Sequence, residues 1–247
     1  MLKEYKADLH IHTCLSPCAD LHMSPSAIIR TASEKGLNMI AITDHNSAEN
    51  VDAAIKAAEN TGISVLAGME ISSVEEAHIL ALFDDMKSAI RLQEIIYENL
   101  QPGENNEERF GEQIVVNEKE EVLSFNKRLL IGATELSAQS IVNTIRSFGG
   151  LSIASHVDRE AFGIISQLGF IPDDLKFDAL EMSPGIQKQA AEDRFRDYIF
   201  LPWVSSSDSH SLENIGKRTM RFLIKEPTVT EIKYALRNTD GRKAEWG

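Results

Sequence analysis

Short apolar runs that end in a polar residue alternate with amphipathic stretches along most of this chain. Residues 6–12 read as a strand. Residues 24–35 read as a helix, with Ser24 as N-cap, Pro25 at the first helical position and Gly36 as its stop. LNMIAITDH is a buried strand with a polar tip, AENVDAAIKAAENTG a helix closed by Gly62, and ISVLAGMEIS and EAHILALF are strands. Further on, AQSIVNTIRSFGG, REAFGIISQLG, QKQAAEDRFRDY and TVTEIKYALRN read as helices. Between them LSIASH, FDALEMS and LPWVSSSDSH read as strands. Such alternation leaves few folds open. It calls for an α/β architecture with a mainly parallel sheet, and about seven such units suggest closure into a TIM-like barrel. Residues 99–128 break the rhythm. They are polar and acidic, and read as an insertion, part loop and part β-hairpin around VVNEKEEVLSF. A chain of 247 residues with 43% hydrophobic content suits one domain, 1–247, carrying that insertion.

The polar tips carry the chemistry. The seven histidines are His10, His12, His22, His45, His78, His156 and His210. All but His22 lie within or just after an expected strand. Asp8, Asp44, Glu70, Glu181 and Asp208 accompany them. In a parallel barrel the C-terminal strand ends form one face, so these side chains would converge on it. Alternate residues of a strand share a face, which lets His10 and His12 meet one metal. Asp208 and His210 have the same spacing and suit one metal or two neighbouring ones. Imidazole and carboxylate together suit zinc, manganese or iron. A lone histidine is more often an ordinary surface or core residue, but six at strand ends beside acids read as a metal site. His22 reads as a surface or helix-approach residue. Cys14 and Cys18 read as free thiols in a reducing compartment.

Taken in order, these segments resemble the motifs of the PHP family, named for polymerase and histidinol phosphatase. The resemblance runs through DLHIHT (8–13), ITDHN (42–46), GMEIS (68–72), the following AHILAL, SHVDRE (155–160) and SDSH (207–210). It implies a distorted seven-stranded β/α barrel holding two or three divalent metal ions. His10, His12, Glu70 and Asp208 would bind the first, and Glu70 would bridge to a second held by His78 and His156. Asp20, His45 and His210 would hold the third. Related small phosphoesterases often read His-Pro-x-Arg in the third motif. Here it is His156-Val157-Asp158-Arg159, without the proline but with the arginine.

The expected activity is hydrolysis of a phosphate ester of a small phosphorylated metabolite or nucleotide by a metal-activated hydroxide. Glu70 would be catalytic through the metals it bridges. Arg159 would clamp the phosphate with its forked guanidinium, the plainer role being an ion pair with Asp158 or Glu160. Asp8 and Asp44 are expected to orient ligand imidazoles or cap a turn, and Glu181 to act as a supporting base or a wall of the pocket. Two other readings stay open: a non-catalytic regulatory module stabilised by metal, and a metallohydrolase of a non-phosphate substrate. The net charge of −13 would repel long polyanions, and no basic aromatic platform is visible, so long nucleic acid is not an expected partner. No apolar run approaches the ~18 residues of a membrane span, and MLKEYKADLHIH has no signal-peptide core. The expected location is cytoplasmic, with the acidic insertion as a possible protein-docking surface.

Overall fold

A computed structural model describes residues 1–246. Among the described residues eleven strands occur: β1 (Lys3–Ile11), β2 (Met39–Ile42), β3 (Ser64–Ser72), β4 (His78–Phe83), β5 (Ile114–Val116), β6 (Val122–Phe125), β7 (Leu151–Ala154), β8 (Ala179–Met182), β9 (Trp203–Ser205), β10 (Met220–Ile224) and β11 (Lys243–Trp246). The α-helices are α1 (Pro25–Glu34), α2 (Val51–Ala57), α3 (Met86–Glu98), α4 (Glu107–Phe110), α5 (Ala138–Ser147), α6 (Ile164–Leu168), α7 (Lys188–Arg194) and α8 (Val229–Leu236). The longer helices start where the sequence supplies a cap. Ser24, Asp85, Ser137 and Thr228 each accept a backbone N–H of the first turn of α1, α3, α5 and α8.

Nine strands form one sheet in the order β11-β10-β1-β2-β3-β4-β7-β8-β9. The expected α/β barrel is present as a nearly closed sheet, with nine strands rather than seven and with mixed rather than mainly parallel directions. β4 runs antiparallel to both β3 and β7, and β10 and β11 are antiparallel additions beside β1. The reason is local. Only residues 73–77 separate β3 from β4, and a parallel crossover needs a dozen residues or more. The sheet curls until its ends nearly meet. Trp246 Nε1 donates to Trp203 O at 3.4 Å, and the loop after β9 pairs with the end of β1 through His12 N to Ser209 O at 3.0 Å. Leu9, Leu66, Leu80, Ile153, Val204 and Phe222, from strands far apart in the order, share one apolar cluster with α8. A second cluster packs the other sheet face against α1, α2, α3 and α5.

The segment 99–128 carries the expected hairpin, β5 pairing with β6. Its inner strand is docked on the barrel: Ile114 N donates to Cys14 O at 3.0 Å, and Asn50 bonds both Ile114 O and Val116 N at 2.9 Å. Three expected helices are shorter than read, α2 stopping at Ala57, α6 covering only Ile164–Leu168 and α7 ending at Arg194. Among the described residues no helix is long and apolar enough to cross a membrane.

Candidate metal centre

The register of β1 against β2 slips between Asp8 and Ile11. Ala7 and Leu9 belong to the interior cluster and Ile11 to the outer one, so the strand changes face at this bulge. A bulge re-aims side chains, and here His10 and His12 are brought together at the barrel mouth, their Nε2 atoms 3.1 Å apart. Glu70, from β3, stands at the centre. Its carboxylate oxygens lie 3.4 Å from His10 Nε2, His12 Nε2 and His45 Nδ1, 3.1 Å from His78 Nδ1 and 3.2 Å from His156 Nε2. Asp208 Oδ1 is 3.3 Å from both His10 Nε2 and His12 Nε2. His78 arrives from the first residue of its strand, because antiparallel β4 begins where β3 ends and Ser72 pairs with His78. His156 and Asp208 sit in the left-handed region, at φ 28° and 50°, where the chain turns sharply out of the sheet.

Three sets of side chains converge closely enough to surround a cation: His10, His12 and Asp208; His45, Glu70 and His78; and His12, His45 and His210. Other contacts fix which nitrogen each leading histidine presents. His10 Nδ1 donates to Glu181 Oε2 at 2.9 Å, leaving Nε2 to face the cluster. His12 Nδ1 donates to Ser16 Oγ at 3.0 Å, and Ser16 passes its own proton to Asp44 Oδ1 at 2.7 Å. The two Nε2 atoms and the two carboxylates thus face one another across a gap of 3.1–3.4 Å. His45 Nδ1, His78 Nδ1, His156 Nδ1 and Asp208 Oδ1 are buried and find no hydrogen-bond partner among the described residues. Buried polar atoms left so are costly. A divalent cation would satisfy them, and the donor set fits one.

The electrostatics agree. Burial opposes charge on Glu70, but His78 and His10 outweigh it and hold the carboxyl well below the usual range. Asp208 is held well below against the same burial, chiefly by His10 and His12. Burial and the neighbouring His12 push His45 well down and His210 down to about 4. Burial opposes charge on His10 and His12 too, but Glu181, Asp208 and Glu70 push His10 well up, and Asp208 and Glu70 push His12 up to about 9, so without a cation these two carry the positive charge that a bound metal would replace.

The remaining expected residues fall as follows. Asp20 is exposed, and its carboxylate accepts His22 N at 2.9 Å; it joins none of the three converging sets. Asp44 orients His12 through Ser16, whereas Asp8 touches no imidazole. Asp8 is buried, accepts Ser207 N at 3.0 Å and Gly216 N at 2.8 Å, and so ties the loop bearing Asp208 and His210 to β1. Burial raises its pKa to about 6, moderated by those bonds. Arg159 pairs with neither of its expected neighbours. Its guanidinium meets Asp208 Oδ2 at 2.6 Å at the mouth, while Asp158 accepts Ser183 N at 2.7 Å. Cys14 and Cys18 are free thiols, and Cys18 lines the mouth. A cavity of about 220 Å³ opens there between Glu70, His78, His156, Arg159, Phe162 and Asp208. Sequence reasoning missed Ser16 and Asn46. Asn46 donates to Leu130 O and Gly132 O, both at 2.8 Å, and accepts Ser72 N, tying the segment after the insertion to the metal centre. Its φ of 52° is the kind that favours Asn, a weak signal already present in ITDHN. Nothing in the sequence marked Ser16.

Comparison with known proteins follows the same lines. The 5'-3' exoribonuclease of Haemophilus influenzae is 36% identical over 85 residues, 33% of this chain and 29% of that protein. The phosphoribosyl 1,2-cyclic phosphate 1,2-diphosphodiesterase of Eggerthella lenta is 29% identical over 80 residues, 30% of this chain and 29% of that protein. The matched segments thus span less than a third of either relative. Among solved structures, the lesion-specific endonuclease PfuEndoQ of Pyrococcus furiosus superposes with a TM-score of 0.76 at 20% identity. The match covers 98% of this chain and 58% of that one. Endonuclease Q in complex with a 27-mer duplex, an abasic lesion at its active site, superposes with a TM-score of 0.74. This corrects the expectation that long nucleic acid is excluded. A protein of this fold takes a DNA duplex, and a net charge summed over the whole surface does not set the field at one mouth. The PHP domain matches residues 8–167, well over half of the sequence, and this chain belongs to the PHP domain family.

Proposed function

We propose that the chain is a metal-dependent phosphoesterase, a single PHP-type unit over 1–247 with 99–128 inserted into it. The observation that carries this is the pair of Nε2 atoms of His10 and His12, 3.1 Å apart and facing Glu70 and Asp208, with each Nδ1 hydrogen-bonded elsewhere. In this reading His10, His12, Glu70 and Asp208 would hold one ion, and Glu70 would help hold a second with His78, His156 and His45. His210 supports a third. Bound zinc, manganese or iron ions would supply a water acidic enough to be hydroxide near neutral pH, and positive charge for the phosphate oxygens. Glu181 and the Ser16–Asp44 pair keep the two imidazoles aimed. Asp8 keeps the Asp208 loop in register. Arg159, on the rim and already beside an anionic oxygen, is placed to take a phosphate oxygen in paired hydrogen bonds.

The substrate best suited to a cavity of about 220 Å³ is the phosphate ester of a small metabolite or of one nucleotide unit. A phosphodiester within a nucleic-acid strand is the second reading, favoured by the likeness to Endonuclease Q. The test is turnover of p-nitrophenyl phosphate, bis-p-nitrophenyl phosphate and p-nitrophenyl acetate by protein loaded with each metal. Turnover of a phosphate ester that chelator abolishes supports the reading. Turnover of the acetate alone, or of none, overturns it.

A further inference from the structure

Next to the metal centre lies a second cavity, of about 370 Å³, which shares two of its walls, Ile131 and Phe162, with the first. It is a different chemical environment. Phe110 and Leu129, from the inserted segment and its exit, line it with Ile131 and Phe162. Glu76 and Gln101 stand exposed at its rim. At its floor is Ser72, whose hydroxyl is buried and finds no hydrogen-bond partner among the described residues. No lysine or arginine lines it, whereas Arg159 lines the metal cavity. A phosphate therefore belongs on the Arg159 side, and the second cavity suits an uncharged group that is flat, apolar on its faces and polar at its edge.

Phe162 joins the two. Its ring stacks on His78 at 4.5 Å and 13°, its carbonyl accepts His78 N at 2.9 Å, and it holds a left-handed φ of 61°. A phenylalanine in that region is strained, and it is still 44% exposed. Burial of the ring does not account for the strain. Its free face is presented beside the metal centre.

We propose that this cavity is a nucleobase subsite. The base of a substrate whose phosphate lies at the metal centre would stack against Phe162 and Phe110. Its edge would meet Ser72 Oγ and the Gln101 amide, and an exocyclic amine would donate to Glu76. The acceptor character of Glu76 favours adenine, guanine or cytosine over uracil or thymine. The base can come from a free nucleotide or from a strand, since both present the same ring. This rests on the phosphoesterase reading for its orientation, but the cavity itself can be tested without turnover.

The first measurement is calorimetric titration of the metal-free full chain with adenosine and with uridine. Adenosine is expected to bind more tightly, Phe110→Ala to weaken it about five- to hundredfold, the range of one base–aromatic stack, and Gln101→Ala about two- to tenfold, the range of one hydrogen bond. Thermal unfolding checks that Phe110→Ala folds, and exposed Gln101 serves if it does not. The second is the ratio of kcat/KM for AMP to that for glycerol phosphate, which should fall in both variants. Parallel assays with AMP and with an oligonucleotide identify the source of the base. Adenosine binding without any ester turnover would leave the subsite standing and remove the phosphoesterase reading. Ester turnover with no nucleoside binding, and equal ratios in parent and variants, would overturn the subsite.

Discussion

Glu181 does its work through one oxygen, Oε2. By accepting from His10 Nδ1 at 2.9 Å and from His156 N at 3.2 Å, it fixes the imidazole that faces Glu70 and the backbone of the turn that carries His156. Removing such a partner of a metal ligand typically costs about 10–100-fold in metal affinity. Glu181→Gln should lose about tenfold and Glu181→Ala more, read by competition with a fluorescent chelator. Equal affinity in all three proteins would assign Glu181 to packing. The proposed function assigns Arg159 to substrate instead. Arg159→Lys keeps charge but loses the fork. One charge-assisted contact is worth roughly 1.5–3 kcal/mol, so kcat/KM should fall about 10–100-fold while metal content stays at the parental level. Loss of metal from Arg159→Lys would mean that the ion pair with Asp208 shapes the metal site itself.

At the level of elements, the strands were legible and their directions were not. MIAIT, LSIAS and ALEM declare themselves by short, mostly apolar runs, and Ser24-Pro25 declares the start of α1. EAHILALF reads equally well in either direction. The signal that settles it is the short link 73–77, which forbids a crossover and so places His78 at the start of its strand rather than the end. Asp20 and Asp208 show the same limit among side chains. Both are acids near a histidine in sequence, but only Asp208 is carried inward, because Asp8 anchors its loop. The C-terminal elements offer a pH test. Arg242, just before β11, makes a paired bond to Glu231 of α8, at 2.8 and 2.7 Å. The guanidinium holds Glu231 at about 2, below its unfolded value. A depressed carboxyl stabilises the fold above about pH 4.5, and that contribution is lost as pH falls toward 2. Glu231→Gln should therefore melt about 2–4 °C lower than parent at pH 7, with the gap closing between pH 4.5 and 2. A gap that stays constant over that range would show that the pair does not set the difference.

Across the whole molecule, a nearly closed sheet gathers residues from both ends of the sequence onto one mouth. His10 and Asp208 meet only because the loop after β9 pairs with the end of β1. The ordered motifs made that convergence legible, since each strand tip carried its ligand. The supporting parts were not legible, because Ser16, Phe162 and the docking of β5 against Cys14 and Asn50 depend on contacts between distant segments. The overall charge misled for the same reason: it averages a surface on which one mouth differs from the rest. The central claim is that this mouth is a metal cluster organised by Glu70. Crystals of manganese- or zinc-loaded protein, measured at the absorption edge of the metal, test it directly. The account predicts at least two anomalous peaks flanking Glu70, one of them about 2.0–2.2 Å from His10 Nε2 and His12 Nε2. No peak between those residues in a fully loaded crystal would contradict it.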